Sequence, residues 1–193
     1  MYHVLDLYHT FELIGMQHPE KDITEVVTLL TTAITPGIQK AALERFFAPD
    51  AGFIHPVCAV ERGPNSRDKV LAIYQWYRVL SPQITLEVKD VVYDREQNVM
   101  FLEIVQKFHL RLSPLSAAPS RLITRIKMEE RDGLHHIVLQ EDFYHPEDFA
   151  ALIIPPLKPL VSLALRMSSI ACSVGAFGAQ MIGFWRPESV KTT

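Results

Sequence analysis

Apolar positions recur every three to four residues through DITEVVTLLTTAIT, where Ile23, Val26, Val27, Leu30 and Ile34 share one face and Asp22 followed by Glu25 reads as a capping pair. The pattern predicts a helix that Pro36 and Gly37 interrupt. A second helix comes next over IQKAALERFF with Ile38, Ala41, Ala42 and Phe46 on one side, and the two should form a hairpin. Past a turn at Pro49 and Asp50, FIHPVCAV reads as a half-buried strand that carries an imidazole, His55, and a proline, Pro56, in its middle. ERGPNS offers Asn65 or Ser66 as cap of a third helix, SRDKVLAIYQWYRVL, whose inner face is Val70, Ile73, Tyr74 and Tyr77 and which ends at Ser81 and Pro82.

The period then changes from helical to two. QITLEVKDVVY alternates, DREQN turns, VMFLEIVQKFHLRL alternates at length, SPLSAAPS loops, RLITRIKMEE and LHHIVLQEDFYH alternate again around the tight turn RDG. Helix, helix, strand and helix, then four strands in a meander, is an α+β arrangement, with helices covering one face of a curved sheet. Pro146 starts a short helix, PEDFAALII, and Pro155, Pro156 and Pro159 break the chain after it. From Met167 to Trp185 there is no charged residue, about 28 Å of helix and close to the thickness of a hydrocarbon core. Serines and glycines dilute the run and Arg166 and Arg186 bracket it, so a span, an interfacial helix, a lipid-facing hairpin and a lid over the domain all fit it.

At 193 residues and 22.0 kDa the chain holds one domain plus attachments. We divide it into an extension at 1–18, a domain at 19–148 and an apolar tail at 149–193, with the first fifteen residues a poor signal peptide and an accessory segment. The net charge of −3 and the scattered Lys and Arg argue against nucleic acid as partner. Cys58 and Cys172, in apolar surroundings, read as inert thiols of a reducing, intracellular and cytoplasmic compartment. The pair His135 and His136 lacks metal-ligand spacing, so no metal is expected. The sequence carries no glycine-rich phosphate loop, nucleophile elbow or dinucleotide fingerprint, so no cofactor is expected either.

FFAPDAGFIHPV, IYQWYRVLSP, FLEIVQKFHL and LQEDFYHPEDF, in this order, resemble the nuclear transport factor two-like superfamily, which includes ketosteroid isomerase and SnoaL-like cyclases. Within it the chain resembles most the fungal SigF-like group, which also carries an apolar tail. The likeness runs from about Pro19 to Trp185 and rests on His55-Pro56, on Trp76-Tyr77 ahead of Ser81-Pro82, and on the pair Asp142 and Tyr144. It implies a cone: a strongly bent antiparallel sheet wrapped round three N-terminal helices, with an apolar pocket open at one end. It further implies isomerase, cyclase or plain binding activity, fungal secondary-metabolite pathways, and in many members dimers formed through the outer face of the sheet.

Placed in such a cone, Phe53 and His55 point at the pocket and Pro56 restrains His55. His55 is then a proton shuttle, or a structural histidine bonded to a backbone carbonyl. The last strand has two phases, and the resemblance favours Gln140, Asp142 and Tyr144 inside. An inward Asp142 gains a raised pKa that suits a general base; alternatively it pins the chain before Pro146. Tyr77 and Tyr144 are candidates for polarising a substrate oxygen, Tyr74 lies three residues from Tyr77 on the same face, and all three equally fit core aromatics. On the long strand, Leu102, Ile104, Gln106, Phe108 and Leu110 face in, with Gln106 the one polar member, while Glu103, Lys107, His109 and Arg111 face out. The expected catalytic set is therefore His55, Asp142, Tyr77 and Tyr144. The expected substrate contacts are Tyr74, Gln106, Phe53 and Phe108. The expected ligand is a hydrophobic small molecule, with membrane contact through 157–185 and a homodimer as further candidates.

Overall fold

The computed structural model describes residues 15–111 and 113–185; the expected accessory segment, apart from Gly15, lies outside them. Three helices, α1 (Pro19–Thr32), α2 (Pro36–Phe46) and α3 (Ser66–Leu80), pack on a six-stranded sheet of β1 (Phe47–His55), β2 (Cys58–Val60), β3 (Gln83–Asp94), β4 (Val99–His109), β5 (Pro119–Arg131) and β6 (Leu134–Tyr144). A short helix α4 (Pro146–Ile153), a 3-10 turn (Pro155–Leu157) and a long helix α5 (Lys158–Met181) complete the chain's described elements.

The strand order is β2-β1-β6-β5-β4-β3, an open sheet. It is mixed rather than wholly antiparallel: β1 runs parallel to β6, because the chain leaves β1 through a hairpin and α3 and re-enters at the far edge. The other pairings are antiparallel. Register shifts between Phe47 and Gly52, Val88 and Asp90, and Lys127 and Met128 add residues to single strands, and such bulges bend and twist a sheet. Pro49 and Asp50, expected as a turn before the strand, lie inside β1 at the first of these shifts.

The core lies between the helices and the concave sheet face. Ile23, Val26 and Leu30 of α1, Leu43 and Phe46 of α2, and Val70 and Tyr74 of α3 meet Phe53, Met100, Leu102, Ile104, Leu122 and Ile126. Met16 is also fully buried and exchanges two backbone hydrogen bonds of 2.9 Å with His135, so the core reaches past the expected boundary at Pro19.

Three local expectations are corrected. The first helix starts at Pro19, not at Asp22; His18 is its cap residue, and its N–H donates to Asp22 Oδ2 at 2.9 Å. Ile34 lies beyond that helix and is exposed. In α2 the buried face is Gln39, Ala42, Leu43 and Phe46, a residue away from the face expected from Ile38 and Ala41. Gln39 is inside because its Nε2 donates to the Leu30 carbonyl at 2.6 Å; a satisfied amide is tolerated where a bare one is costly.

Candidate active site

A cavity of about 250 Å³ opens between the concave face and helices α1, α3 and α4. His55, expected in mid-strand, is the last residue of β1: Pro56 and Val57 form a two-residue turn, and His55 pairs with Cys58 of β2. Proline suits the second position of such a turn, and the Val57 N–H donates to His55 Nδ1 at 3.4 Å. That bond puts the hydrogen of the neutral ring on Nε2. The ring stacks 6.2 Å from Phe53 and meets Tyr144 at 5.4 Å and Tyr77 at 5.7 Å. Burial pushes its pKa down to about 4. At neutral pH His55 is therefore an uncharged Nε2–H donor.

β6 supplies the polar floor. Period two turns Gln140, Asp142 and Tyr144 inward, and Phe53 of β1 and Thr124 of β5 sit in register with Gln140 and Asp142. Asp142 Oδ1 accepts from Thr124 Oγ1 at 2.8 Å and from Gln140 Nε2 at 3.1 Å. Tyr74 donates to Gln140 Oε1 at 2.7 Å, so the amide is held at both ends. Asp142 is partly exposed and lines the cavity. Desolvation lifts its pKa to about 6 against the lowering effect of the Gln140 and Thr124 bonds.

Gln106 reaches across from β4 and its Nε2 donates to Tyr144 Oη at 2.7 Å, leaving the phenol's own hydrogen to point elsewhere. Tyr77 Oη lies 3.4 Å from Cys58 Sγ, and Phe108 packs edge-on to Tyr77 at 6.2 Å. Burial holds the three phenols Tyr74, Tyr77 and Tyr144 well above the usual tyrosine range, so all stay protonated hydrogen-bond donors.

All eight residues named from the sequence thus line one cavity. Tyr74 stands apart from the expectation, since its hydroxyl hydrogen is engaged by Gln140. Sequence reasoning missed Thr124, Cys58 and Phe149. Thr124 was detectable as a polar residue between the apolar Leu122 and Ile126 on the inward phase of β5. Cys58 read as inert; Phe149 of α4 closes over His55 and Tyr144 at 6.4 and 5.7 Å, a non-local contact. His135 and His136 lie away from the cavity, His135 edge-on to Tyr93 at 6.5 Å. Among the described residues one group, His145, Glu147 and Asp148, brings three metal-ligating side chains within 4.8 Å. Two of them have protein partners: Lys158 Nζ sits 3.1 Å from Asp148, and Ser162 donates to Glu147. These contacts tie the root of α5 to α4.

Beyond that root α5 has no buried residue, and Pro155–Met181 forms a 27-residue apolar stretch, long and apolar enough to cross a membrane. From Lys158 to Met181 it is one continuous helix that does not fold back as a hairpin, and none of its residues lines the cavity.

The α+β cone around an apolar cavity agrees with the fold that the resemblance to nuclear transport factor two-like proteins implied. The family model of the SigF NTF2-like domain matches residues 16–184, and the chain belongs to that family. None of the curated proteins matches the sequence. Among solved structures, it is similar to a Catenulispora acidiphila protein of ketosteroid isomerase-like fold in complex with trimethylamine, at 15% identity and a TM-score of 0.50, over 66% of this chain and 91% of that one. A SnoaL-like family protein from Agrobacterium tumefaciens, described as a putative isomerase, aligns at 11% identity and 0.50, over 65% and 97%. An NTF2-like protein of unknown function from Burkholderia pseudomallei aligns at 13% and 0.50, over 68% and 96%. At such identities the likeness establishes the fold.

Proposed function

We propose that the chain is a cofactor-independent isomerase or cyclase that transfers protons on a hydrophobic, oxygenated metabolite in secondary-metabolite biosynthesis. The observation that carries this reading is Asp142: a carboxyl at the polar end of an apolar cavity, held by two donors, with a pKa of about 6. A base poised near neutrality removes a weakly acidic proton efficiently, and an apolar surround strengthens that effect. In this reading the Asp142 carboxylate takes a proton from carbon next to a substrate carbonyl. The negative charge that develops on the carbonyl oxygen receives hydrogen bonds from Tyr144 and Tyr77, with His55 Nε2–H as a further donor. Protonated Asp142 then returns its proton at another carbon, which is isomerisation, or the nucleophilic carbon adds to an internal carbonyl, whose π bond opens to an alkoxide that takes the proton from Asp142, which is cyclisation. Phe53 and Phe108 supply apolar contact, and Tyr74 acts through Gln140 as a positioning residue.

The test is an untargeted metabolite comparison of the source organism with the gene deleted, restored, or restored as Asp142→Asn. The reading expects one oxygenated precursor to accumulate on deletion and to persist with Asp142→Asn and with His55→Ala. Equal clearance by parent and variants would contradict it.

A second reading is favoured by the uncovered helix α5: a noncatalytic carrier of a lipid or terpenoid-like ligand, attached to an intracellular membrane from the cytoplasm. It predicts that Asp142→Asn restores the parent profile. Val92, Phe101, Ile123 and Phe143 are exposed on the face of the sheet away from the cavity and support a homodimer in either reading. Sedimentation at micromolar concentration checks this, and a strict monomer contradicts it.

A further inference from the structure

The cavity mouth and the apolar helix share one rim. Val57 and Ile153 line the cavity yet are 60% and 41% exposed, so they mark its opening. From Ile153 exposed apolar residues recur at Ile154, Leu157 and Leu160, on either side of Lys158, into α5. The other end of the cone, the β3–β4 turn at residues 95–98, is polar and lies a full strand length away along β4.

We propose that a lipid bilayer covers α5 together with this rim, so that the cavity opens at the headgroup level and takes its ligand from the membrane. The loading route rests on the reading of the cavity as a ligand site; the docking does not. Leu160, Leu163, Met167, Ile170, Val174 and Phe177 make an exposed stripe at spacings of three and four. Such a seam would also fit a second copy of this chain, but helices paired in water carry charges beside the seam. After Arg166 none of the residues up to Trp185 is charged, on any face. A long exposed helix with no charge on any face after Arg166 fits lipid better than a helix paired in water.

Charge fits the same occupant. Arg166 stands where the uncharged run begins, the level at which a guanidinium meets lipid phosphates, and Trp185 stands at its far end, as aromatic residues do at the opposite interface. Lys158 and Ser162 fix the root of α5 to Asp148 and Glu147 of α4, and α4 carries Phe149, Leu152 and Ile153 of the cavity wall. Insertion of α5 therefore carries the mouth towards the lipid.

The test is hydrogen exchange of the full chain with and without phosphatidylcholine vesicles, on the parent and on Ile170→Lys/Val174→Lys/Phe177→Lys, whose side chains are exposed. Vesicles should slow exchange about tenfold at residues 56–58 and 150–157 as well as in α5, and leave residues 95–98 unchanged. The triple variant should lose all of this protection. Protection confined to α5 overturns the rim contact. No vesicle dependence, with a dimer in the parent and a monomer in the variant, assigns the stripe to a second copy and overturns the proposal. N-phenyl-1-naphthylamine, added without vesicles, reports the cavity itself: equal fluorescence enhancement by parent and variant supports it as a ligand site. No enhancement in either overturns that reading and the loading route with it, while the exchange pattern still judges the docking.

Discussion

On the concave face of the sheet Met100 and Leu102 keep no accessible surface, whereas Ile170 and Phe177 of α5 keep 57% and 65% of theirs, although both sets are equally apolar. The first set is covered because β4 sits inside a sheet onto which three helices fold; the second extends past the last contact the domain makes. Hydrophobic pattern says that a face seeks cover, and topology decides whether the chain itself supplies it. The cavity lies between the two cases, apolar surface enclosed by the chain but left open to a ligand.

The comparison is sharpest in stability. Leu102→Ala should cost about 2–5 kcal/mol in urea unfolding, while Phe177→Ala should stay within about 0.5 kcal/mol in lipid-free buffer. Equal losses would mean that α5 packs on the domain in solution.

The polar groups of the cavity give the next effect. Folding lifts the Asp142 pKa from 3.8 to about 6, so folding favours its protonated form and stability falls as pH rises from about 4 to 6. Asp142→Asn should therefore be more stable than the parent at pH 7.5 by about 1–2 kcal/mol, allowing for the surface the carboxyl shows to the cavity. The gap should close below pH 4. His55 works in the opposite sense: its pKa falls from 6.5 to about 4, and stability drops as pH falls through that window. His55→Gln should flatten the acid side of the profile, which denaturant midpoints from pH 4 to 7 would show.

The smallest effect expected is at Tyr74. Tyr74→Phe leaves Gln140 Oε1 without its donor and should cost about 1 kcal/mol. It should also loosen the Gln140 bond that lowers the Asp142 pKa, moving that pKa up. No change in the Asp142 titration would remove Tyr74 from the positioning role.

Which parts of this were legible in the sequence depends on range. Period two fixed the inward face of β4, and with it Gln106, because alternation is a local property; on β6 it left two phases open, and the family resemblance chose the one with Asp142 and Tyr144 inside. The parallel pairing of β1 with β6 was not legible, since it joins residues 87 to 90 positions apart through a crossover. His55 looked like a mid-strand residue because the tight turn at Pro56 and Val57 lacks the Asn-Gly or Asp-Gly signal of a hairpin. Gln39 and Thr124 were passed over because their polarity argued for the surface, and only the Leu30 carbonyl and the Asp142 carboxyl explain their place inside. The exposure of α5 was open in the sequence for the same reason: its apolar run names no partner.

The account turns on one carboxyl held in reserve near neutrality by an apolar cavity. Its most direct test is a titration of the Asp142 side-chain carboxyl by carbon NMR, assigned by difference against Asp142→Asn. A midpoint near pH 6 is the predicted result. A midpoint at or below 4 would show a solvated or fully paired carboxylate and contradict its role as the base.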